Sequence, residues 1–386
     1  MFQSGNHQFL KSLNRKHILN LLRMHQGLTA RQLSERTNLK IATVINLLKE
    51  LEAEQQISRK DIGHSTRRGG KRPVIWDINP RYGCAVGVEW LSTQCRLALI
   101  DFNLQIIARE IIEFPSRLED DRKVEMFVAR LKQFLSERNK DEHQVLGLGI
   151  GLAGIVDFEA GLVVRSWSFS QPRIPLKKML SEKLPFPIYL DNESNAGVLG
   201  LKWMMPELFK ASNIIYLTIH QCFSGMGAGF IFNHELYRGR RNATGEWPAS
   251  LFSAAFFKTL TERLGQSSHP LSRLLQKGSS FKEICDLARQ LTQNNDALAV
   301  RFWNLIAEPI AERLRLLITL LDPDIIVVGG DIHEVKPYLE PTLKKKIARP
   351  EFEGNSQHLP LIFSPFGSYT NALGAAVTAL SEVYRR

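Results

Sequence analysis

"IYLDNESNAG", residues 188–197, is an apolar run that meets three polar residues and then a turn of small ones. It reads as a strand ending in Asp191, Asn192 and Glu193. Sheets of α/β proteins place ligands at the carboxyl ends of their strands. A carboxamide and a carboxylate there can donate to and accept from the groups of a hydroxylated ligand. The alternative is structural, with Asn192 and Glu193 capping the helix that comes next.

Working outward, strands alternate with helices from Tyr82 to the end. "CAVGVEW" (84–90), "CRLALID" (95–101) and "QIIAREIIEF" (105–114) predict three successive strands. A helix is expected near 121–138, the strand "VLGLGI" at 145–150, and a helix near 175–184 that leads to the opening stretch. A second set begins at "NIIYLTI" (213–219) and "GMGAGFIFN" (225–233). It continues through a long helix near 297–320, the strand "DIIVVGG" (324–330) and a closing helix from about Thr370. The pattern implies two α/β lobes with a cleft between them.

The chain of 386 residues suits two or three domains, and 44% hydrophobic content supplies a sizeable core. Cys84, Cys95, Cys222 and Cys285 are far apart and form no CxxC pair, so neither a disulfide framework nor a zinc site is suggested, which fits a reducing cytosol. The first residues lack the apolar core of a signal peptide, and the apolar run from Val145 is too short to span a bilayer. A cytoplasmic protein without membrane contact is expected.

The net charge of +11 is uneven. Residues 1–80 hold 14 Lys+Arg against 6 Asp+Glu, and the remaining 306 residues carry only +3. A basic head on a near-neutral body suggests a polyanion for the head alone. Leu13, Ile18, Leu21 and Leu22 form a helical stripe that ends at Gly27. Thr29 and Gln32 form a capping box for a second helix. A third helix comes after it, with Ile41, Val44, Ile45, Leu48 and Leu51 on one face and Ala42, Thr43 and Asn46 on the other. This is a helix-turn-helix pattern whose third helix would read the major groove. Asn46 can pair with adenine, and Ala42 or Thr43 can touch a thymine methyl. A protein-binding helical bundle has the same periodicity. Residues 57–80 favour DNA. They read as a wing: two strands around a basic tip, with Arg67, Arg68, Lys71 and Arg72 flanking Gly69 and Gly70. Arginines beside glycines suit a narrow minor groove.

Several motifs, in order and spacing, resemble the ROK family of repressors and sugar kinases. They are "GLAGIVD" (151–157), "LDNESNAG" (190–197), "GMGAGFI" (225–231), "GEW" (245–247) and "DPDIIVVGG" (322–330), with "GGKRP" (69–73) similar to the wing of the repressor branch. The resemblance covers nearly the whole chain. It implies an α/β fold: an N-terminal winged helix-turn-helix, then a two-lobed actin-like ATPase (ribonuclease H-like) body. The expected divisions are 1–80 for the head, 81–195 with the C-terminal helix 370–386 for the first lobe, and 196–369 for the second.

Kinase members of the family carry an early phosphate loop of Asp, an apolar residue, then Gly-Gly-Thr. In "GVEWLSTQ" (87–94) Glu89 replaces the Asp, Leu91 and Ser92 replace the glycines, and only Thr93 matches. The family's general base is an Asp after Asn, and Glu193 stands there. A carboxylate displaced by about 1 Å can lose ~100-fold in rate. The resemblance therefore implies no catalytic residue and no enzyme activity, with a bifunctional ATP-dependent sugar kinase as the alternative. The family's zinc site uses a His after the GE motif and a cysteine cluster; Ala249 stands at the His position and no cluster comes after it. Neither metal nor cofactor is expected. What remains is a partial sugar grip of Asn192, Glu193 and Glu246, with Gly154 allowing close approach and Trp247 offering a stacking face. The structural alternative for Glu246 is an ion pair. The expected partners are double-stranded operator DNA, a sugar or sugar-derivative effector, and further copies of the chain in a homodimer or homotetramer. A body that only dimerises and binds no small molecule is the other reading.

Overall fold

The computed structural model describes residues 7–62, 72–115, 118–220, 225–247, 254–265, 268–348 and 359–385. The head comprises α1 (His7–His25), β1 (Leu28–Thr29), α2 (Ala30–Thr37), α3 (Ile41–Ala53), β2 (Ile57–Ile62) and β3 (Val74–Ile78). Its strands pair antiparallel in the order β1-β3-β2. The expected capping box starts α2: the Thr29 hydroxyl accepts from the Gln32 amide, and the Gln32 side chain accepts from the Thr29 amide. Asn38 ends α2 in the left-handed conformation, φ 57°, and makes the tight turn into α3. The buried face of α3 is Val44, Leu47, Leu48 and Leu51. Ile41 and Ile45, read from the sequence as core, are 49% and 39% exposed, and Leu13 is exposed as well. The apolar stripe is thus rotated toward Leu47, because α3 is buried by its packing on α2 and β2 rather than by its own periodicity.

The body holds two five-stranded sheets. The first uses β4 (Cys84–Trp90), β5 (Gln94–Asp101), β6 (Ile106–Glu113), then α4 (Asp120–Ser136) and β7 (Val145–Leu152). A small hairpin, β8 (Gly154–Asp157) and β9 (Leu162–Ser166), precedes α5 (Leu176–Ser181), β10 (Ile188–Asn192) and α6 (Glu193–Met204). The second sheet uses β11 (Ile214–Ile219), β12 (Met226–Phe232) and β13 (Glu235–Leu236). The helices α7 (Ala254–Leu264), α8 (Pro270–Gln276), α9 (Phe281–Thr292) and α10 (Ala297–Leu321) come next. They lead to β14 (Ile325–Gly330), α11 (Lys336–Ile347), β15 (Leu361–Phe363) and α12 (Thr370–Arg385). The orders are β10-β7-β4-β5-β6 and β13-β12-β11-β14-β15. Each sheet is an antiparallel meander of three strands whose first strand pairs in parallel with a fourth, and the fourth in parallel with a fifth. The two sheets share one topology, a repetition that no internal sequence repeat announces.

The closing helix returns to the first sheet. α12 lies so close to β4 and β7 that a Cβ on Gly87 would stand 1.9 Å from the Ala372 carbonyl oxygen, and one on Gly149 1.8 Å from that of Ala375. These two glycines face each other across the β4–β7 ladder, so the sheet offers a smooth floor for the helix. One apolar cluster runs from Ile18, Leu22 and Leu48 of the head through Trp76 and Ile78 to Phe102, Leu380 and Tyr384 of the body. The head therefore packs on the body through a shared core. No described helix is long and apolar enough to cross a membrane.

Candidate functional site

β10 and α6 meet at Asn192. Its side-chain oxygen caps α6 by accepting from the Ser194 amide at 2.8 Å and the Asn195 amide at 3.3 Å. Its amide nitrogen donates to the Gly154 carbonyl at 3.0 Å and to Glu246 at 2.8 Å. Asn192, Gly154 and Glu246, far apart in the chain, thus form one hydrogen-bonded group. The capping role and the gathering of polar groups coexist in a single side chain. Glu246, read alternatively as an ion-pair member, meets the Asn192 amide. Gly154 has φ 121°, and a Cβ on it would stand 2.2 Å from the Arg165 carbonyl oxygen. Its glycine is required by the β8–β9 hairpin, and its carbonyl is what enters the site. Asp191 is held by Arg238, whose Nη2 donates to Oδ2 at 2.6 Å.

Behind this group the charge is dense. Glu193 is 3% exposed; its Oε1 lies 2.6 Å from His220 Nε2, and its Oε2 has no hydrogen-bond partner among the described residues. Glu89 bonds Arg96 at 2.8 Å through Oε2 and accepts from Asn371 at 2.7 Å through Oε1. Arg96 also meets Asp331, just past β14, at 2.8 Å, so one guanidinium ties the two sheets together. Asn371 in turn accepts from Tyr216 and donates to Thr218. Burial pushes the Glu246 carboxyl up, and the neighbouring Glu193 adds to this against the pull of Gly154 and Asn192. Burial alone would lower His220, but the carboxylates of Glu193, Glu89 and Asp331 outweigh it and raise its pKa to about 9. Glu89, Glu193 and His220 bring ligand atoms within 4.8 Å of one another, a set that could hold a metal ion where the sequence led us to expect no ligand group. Arg96 and a protonated His220 supply positive charge at the same place.

A raised histidine stabilises the fold fully below its unfolded pKa, near 6.5, and loses that contribution as pH rises through about 9. At ~1.4 kcal/mol per unit the contribution is on the order of 3 kcal/mol. Urea unfolding at pH 6 should therefore separate the wild type from His220→Gln by roughly that much, and the gap should shrink to near nothing above pH 9. A gap that does not change between pH 6 and pH 10 contradicts the protonated pair.

His220, Arg96, Asp331 and Asn371 were missed in the sequence. His220 and Asp331 each stand directly after an apolar strand, much as Asn192 ends one, and an arginine inside the buried run "CRLALID" needed a partner; these were the available signals. Trp247 packs against the core of the second sheet, near Arg313, rather than standing clear as a stacking face. Ala249 lies outside the described residues.

In the head, Ala42, Thr43 and Asn46 are exposed together on the first turns of α3, and Ile41 and Ile45 extend that face. Arg72 is exposed at the base of the wing, while Arg67, Arg68 and Lys71, with Gly69 and Gly70, lie outside the described residues. Part of the positive charge is used internally: Lys11 and Arg15 pair with Glu50 and Glu54, Arg59 with Glu52, and Lys60 with Asp77.

Comparison with known proteins agrees with this geometry. A profile described as winged helix-turn-helix DNA-binding matches residues 12–58, and the ROK family profile matches residues 85–248 and 258–382. The chain is 25% identical over 402 residues to a putative xylose repressor of Caldicellulosiruptor sp. (strain Rt8B.4), covering 98% of each. It is 21% identical over 397 residues to the DNA-binding transcriptional dual regulator NagC of Escherichia coli (strain K12), covering 97% of this chain and 93% of that one. Among solved structures, a ROK family transcriptional regulator homologous to the E. coli MLC protein superposes with a TM-score of 0.77 at 20% identity, over 98% of this chain and 97% of that one. A ROK family glucokinase from Streptomyces griseus superposes with a TM-score of 0.61 at 20% identity over 78% of this chain and 100% of its own. With its body matched almost throughout and a winged head in front, the chain belongs to the ROK family.

Proposed function

We propose that this protein is a cytoplasmic, DNA-binding transcriptional repressor whose body senses a sugar or sugar derivative and carries out no phosphoryl transfer. We divide it at 1–80 for the head, 81–195 plus 370–386 for the first lobe and 196–369 for the second. Ala42, Thr43 and Asn46 read bases, and Arg67, Arg68, Lys71 and Arg72 engage the backbone and minor groove. Asn192, Glu193, Glu246 and Gly154 form the effector site. The observation that carries the non-catalytic reading is the engagement of both key carboxylates. Glu193, at the general-base position, bonds His220, and Glu89, at the phosphate-loop position, bonds Arg96 and Asn371. A base already sharing a proton with histidine is poorly placed to take one from a sugar hydroxyl, and Leu91 and Ser92 replace the glycines of a phosphate cradle.

The test uses the purified full chain. D-xylose or N-acetylglucosamine, the sugars in the names of the xylose repressor and of a similar N-acetylglucosamine repressor of Escherichia coli O6:H1, should raise the melting temperature. An effector at 100 times its Kd adds about 2.7 kcal/mol. Asn192→Ala should abolish the sugar response. ATP with magnesium should give no turnover, and Glu193→Asp should not restore it, since the phosphate loop remains altered. Stoichiometric sugar phosphorylation by the wild type would establish the kinase instead. A second reading has one observation behind it: both Asn192 amide hydrogens are already taken by Gly154 and Glu246. If no sugar shifts melting or DNA affinity, the body serves assembly alone. A homodimer or homotetramer presents its heads in symmetric pairs, so footprinting should reveal an inverted repeat with half-sites about 34–36 Å apart or a multiple of that. A single asymmetric half-site occupied by a monomer contradicts this.

A further inference from the structure

α6 has a different task at each end. Its first turn is capped by Asn192, the residue that gathers Gly154 and Glu246. Its last turn carries Trp203, which receives the head. Arg23 of α1 stacks its guanidinium 4.5 Å from the Trp203 ring centre and donates a hydrogen bond to the Trp203 carbonyl. Trp203 meets Tyr384 edge-on at 5.3 Å, and Tyr384 donates to the Phe102 carbonyl at 2.9 Å. The twelve residues of the helix span about 18 Å at 1.5 Å per residue.

The rod between the two ends has no slack. A Cβ on Gly200 would stand 2.4 Å from the Gly374 Cα, and one on Gly197 would stand 2.4 Å from Tyr216. α6 is therefore locked against α12 and β11, and displacement of one end must be carried along the helix or resisted by all of it. Packed interfaces of this kind move between discrete arrangements rather than deform smoothly.

The seam at the head end is poorly satisfied. Burial lowers the Arg23 pKa to about 10, with Tyr384 opposing. Its partners are two aromatic faces and one carbonyl. Arg23 Nε and Asn20 Oδ1, both on α1, are buried without a hydrogen-bond partner among the described residues. A cation held this way depends on the position of Trp203, because ring-face attraction falls off quickly with displacement.

We infer that α6 couples the two functions of the chain, and that the Arg23–Trp203 contact is where the state of the Asn192 end reaches the DNA-reading head. Both are positioning residues: they touch neither DNA nor effector. The inference rests on the reading of Asn192 as part of the effector site, but its test does not require a known effector. Hydrogen exchange of the full chain is followed at the amides of residues 18–24 of α1. Asn192→Asp keeps the capping oxygen and removes both donations, to Gly154 and Glu246. It should speed exchange in α1 roughly ten-fold, one decade in the opening equilibrium. In an Arg23→Met background the same change should add less than about two-fold. Trp203→Phe, which keeps a ring, serves in place of Arg23→Met if that variant does not fold. Equal increments in both backgrounds overturn the inference. So does faster exchange in the first turn of α6 with α1 unchanged, and so does an Asn192→Asp variant without effect on either segment. Added D-xylose forms a separate arm: if it leaves melting unchanged, sugar sensing by xylose fails, while the exchange cycle still decides the coupling.

Discussion

Raising salt from 50 to 200 mM will weaken DNA binding by the full chain roughly 10³–10⁵-fold if six to ten phosphates are contacted. The expectation comes from where the head's charge is available. Lys11, Arg15, Arg59 and Lys60 are held by carboxylates of the head. On the proposed interface, phosphate contacts are then expected chiefly from Lys40, Lys49, Arg67, Arg68, Lys71 and Arg72, which in sequence bracket the third helix of the head and the proposed wing tip. Replacing Arg67 and Arg68 with Ala should reduce the log–log salt slope by about 1.8, at ~0.9 per phosphate, for all sequences alike. Asn46→Ala should leave the slope unchanged and cost ~1–3 kcal/mol of discrimination at one base pair. Fluorescence anisotropy over a salt series separates the two effects. A Kd indifferent to salt would remove the DNA assignment, and a slope indifferent to Arg67 and Arg68 would remove the wing from the interface.

Arg96→Met should cost about 3–5 kcal/mol of stability, the usual loss when one member of a buried charge cluster is removed and its partners stay behind. Arg96 is 6% exposed and bonds Glu89 and Asp331 at 2.8 Å each, and it donates to the Ser368 carbonyl at 3.2 Å. Methionine fills much of the stem volume but leaves two carboxylates facing each other across the sheets. Adding Glu89→Gln to Arg96→Met should recover part of the loss, because it removes one of the stranded charges while keeping a group that can accept from Asn371. Urea unfolding of the single and double variants measures both numbers. A loss under about 1 kcal/mol for the single variant would mean that water or rearrangement satisfies the carboxylates, and that Arg96 does not fasten the sheets.

The features legible in the sequence are local ones. The capping box of Thr29 and Gln32, the three helices of the head, the strand pair of the wing and the long helices near 297–320 and after Thr370 are set by residues three to eight apart, whose periodicity and caps act within one element. The strand end at Asn192 was legible for the same reason, whereas the departures of Glu89, Leu91 and Ser92 from a kinase phosphate loop were read only through the family resemblance. The short hairpin β8–β9, the helices α7, α8, α9 and α11 and the three-residue β15 were not read, since these segments are too short or too mixed in polarity to declare a period.

Which groups meet was settled by the packing of distant elements. Asn192 and Glu246 are 54 residues apart, Glu89 and Asn371 are 282 apart, and Arg23 and Trp203 are 180 apart. Periodicity cannot specify a pairing at such separations, because the pairing depends on how two sheets of one topology and a returning helix are stacked. Packing within the head leaves Ile41 and Ile45 exposed, which the period alone would bury, and packing within the body raises the pKa of His220, which depends on carboxylates from β4, α6 and the end of β14. Burial and charge at a point are sums over neighbours in space, and only the folded chain brings those neighbours together.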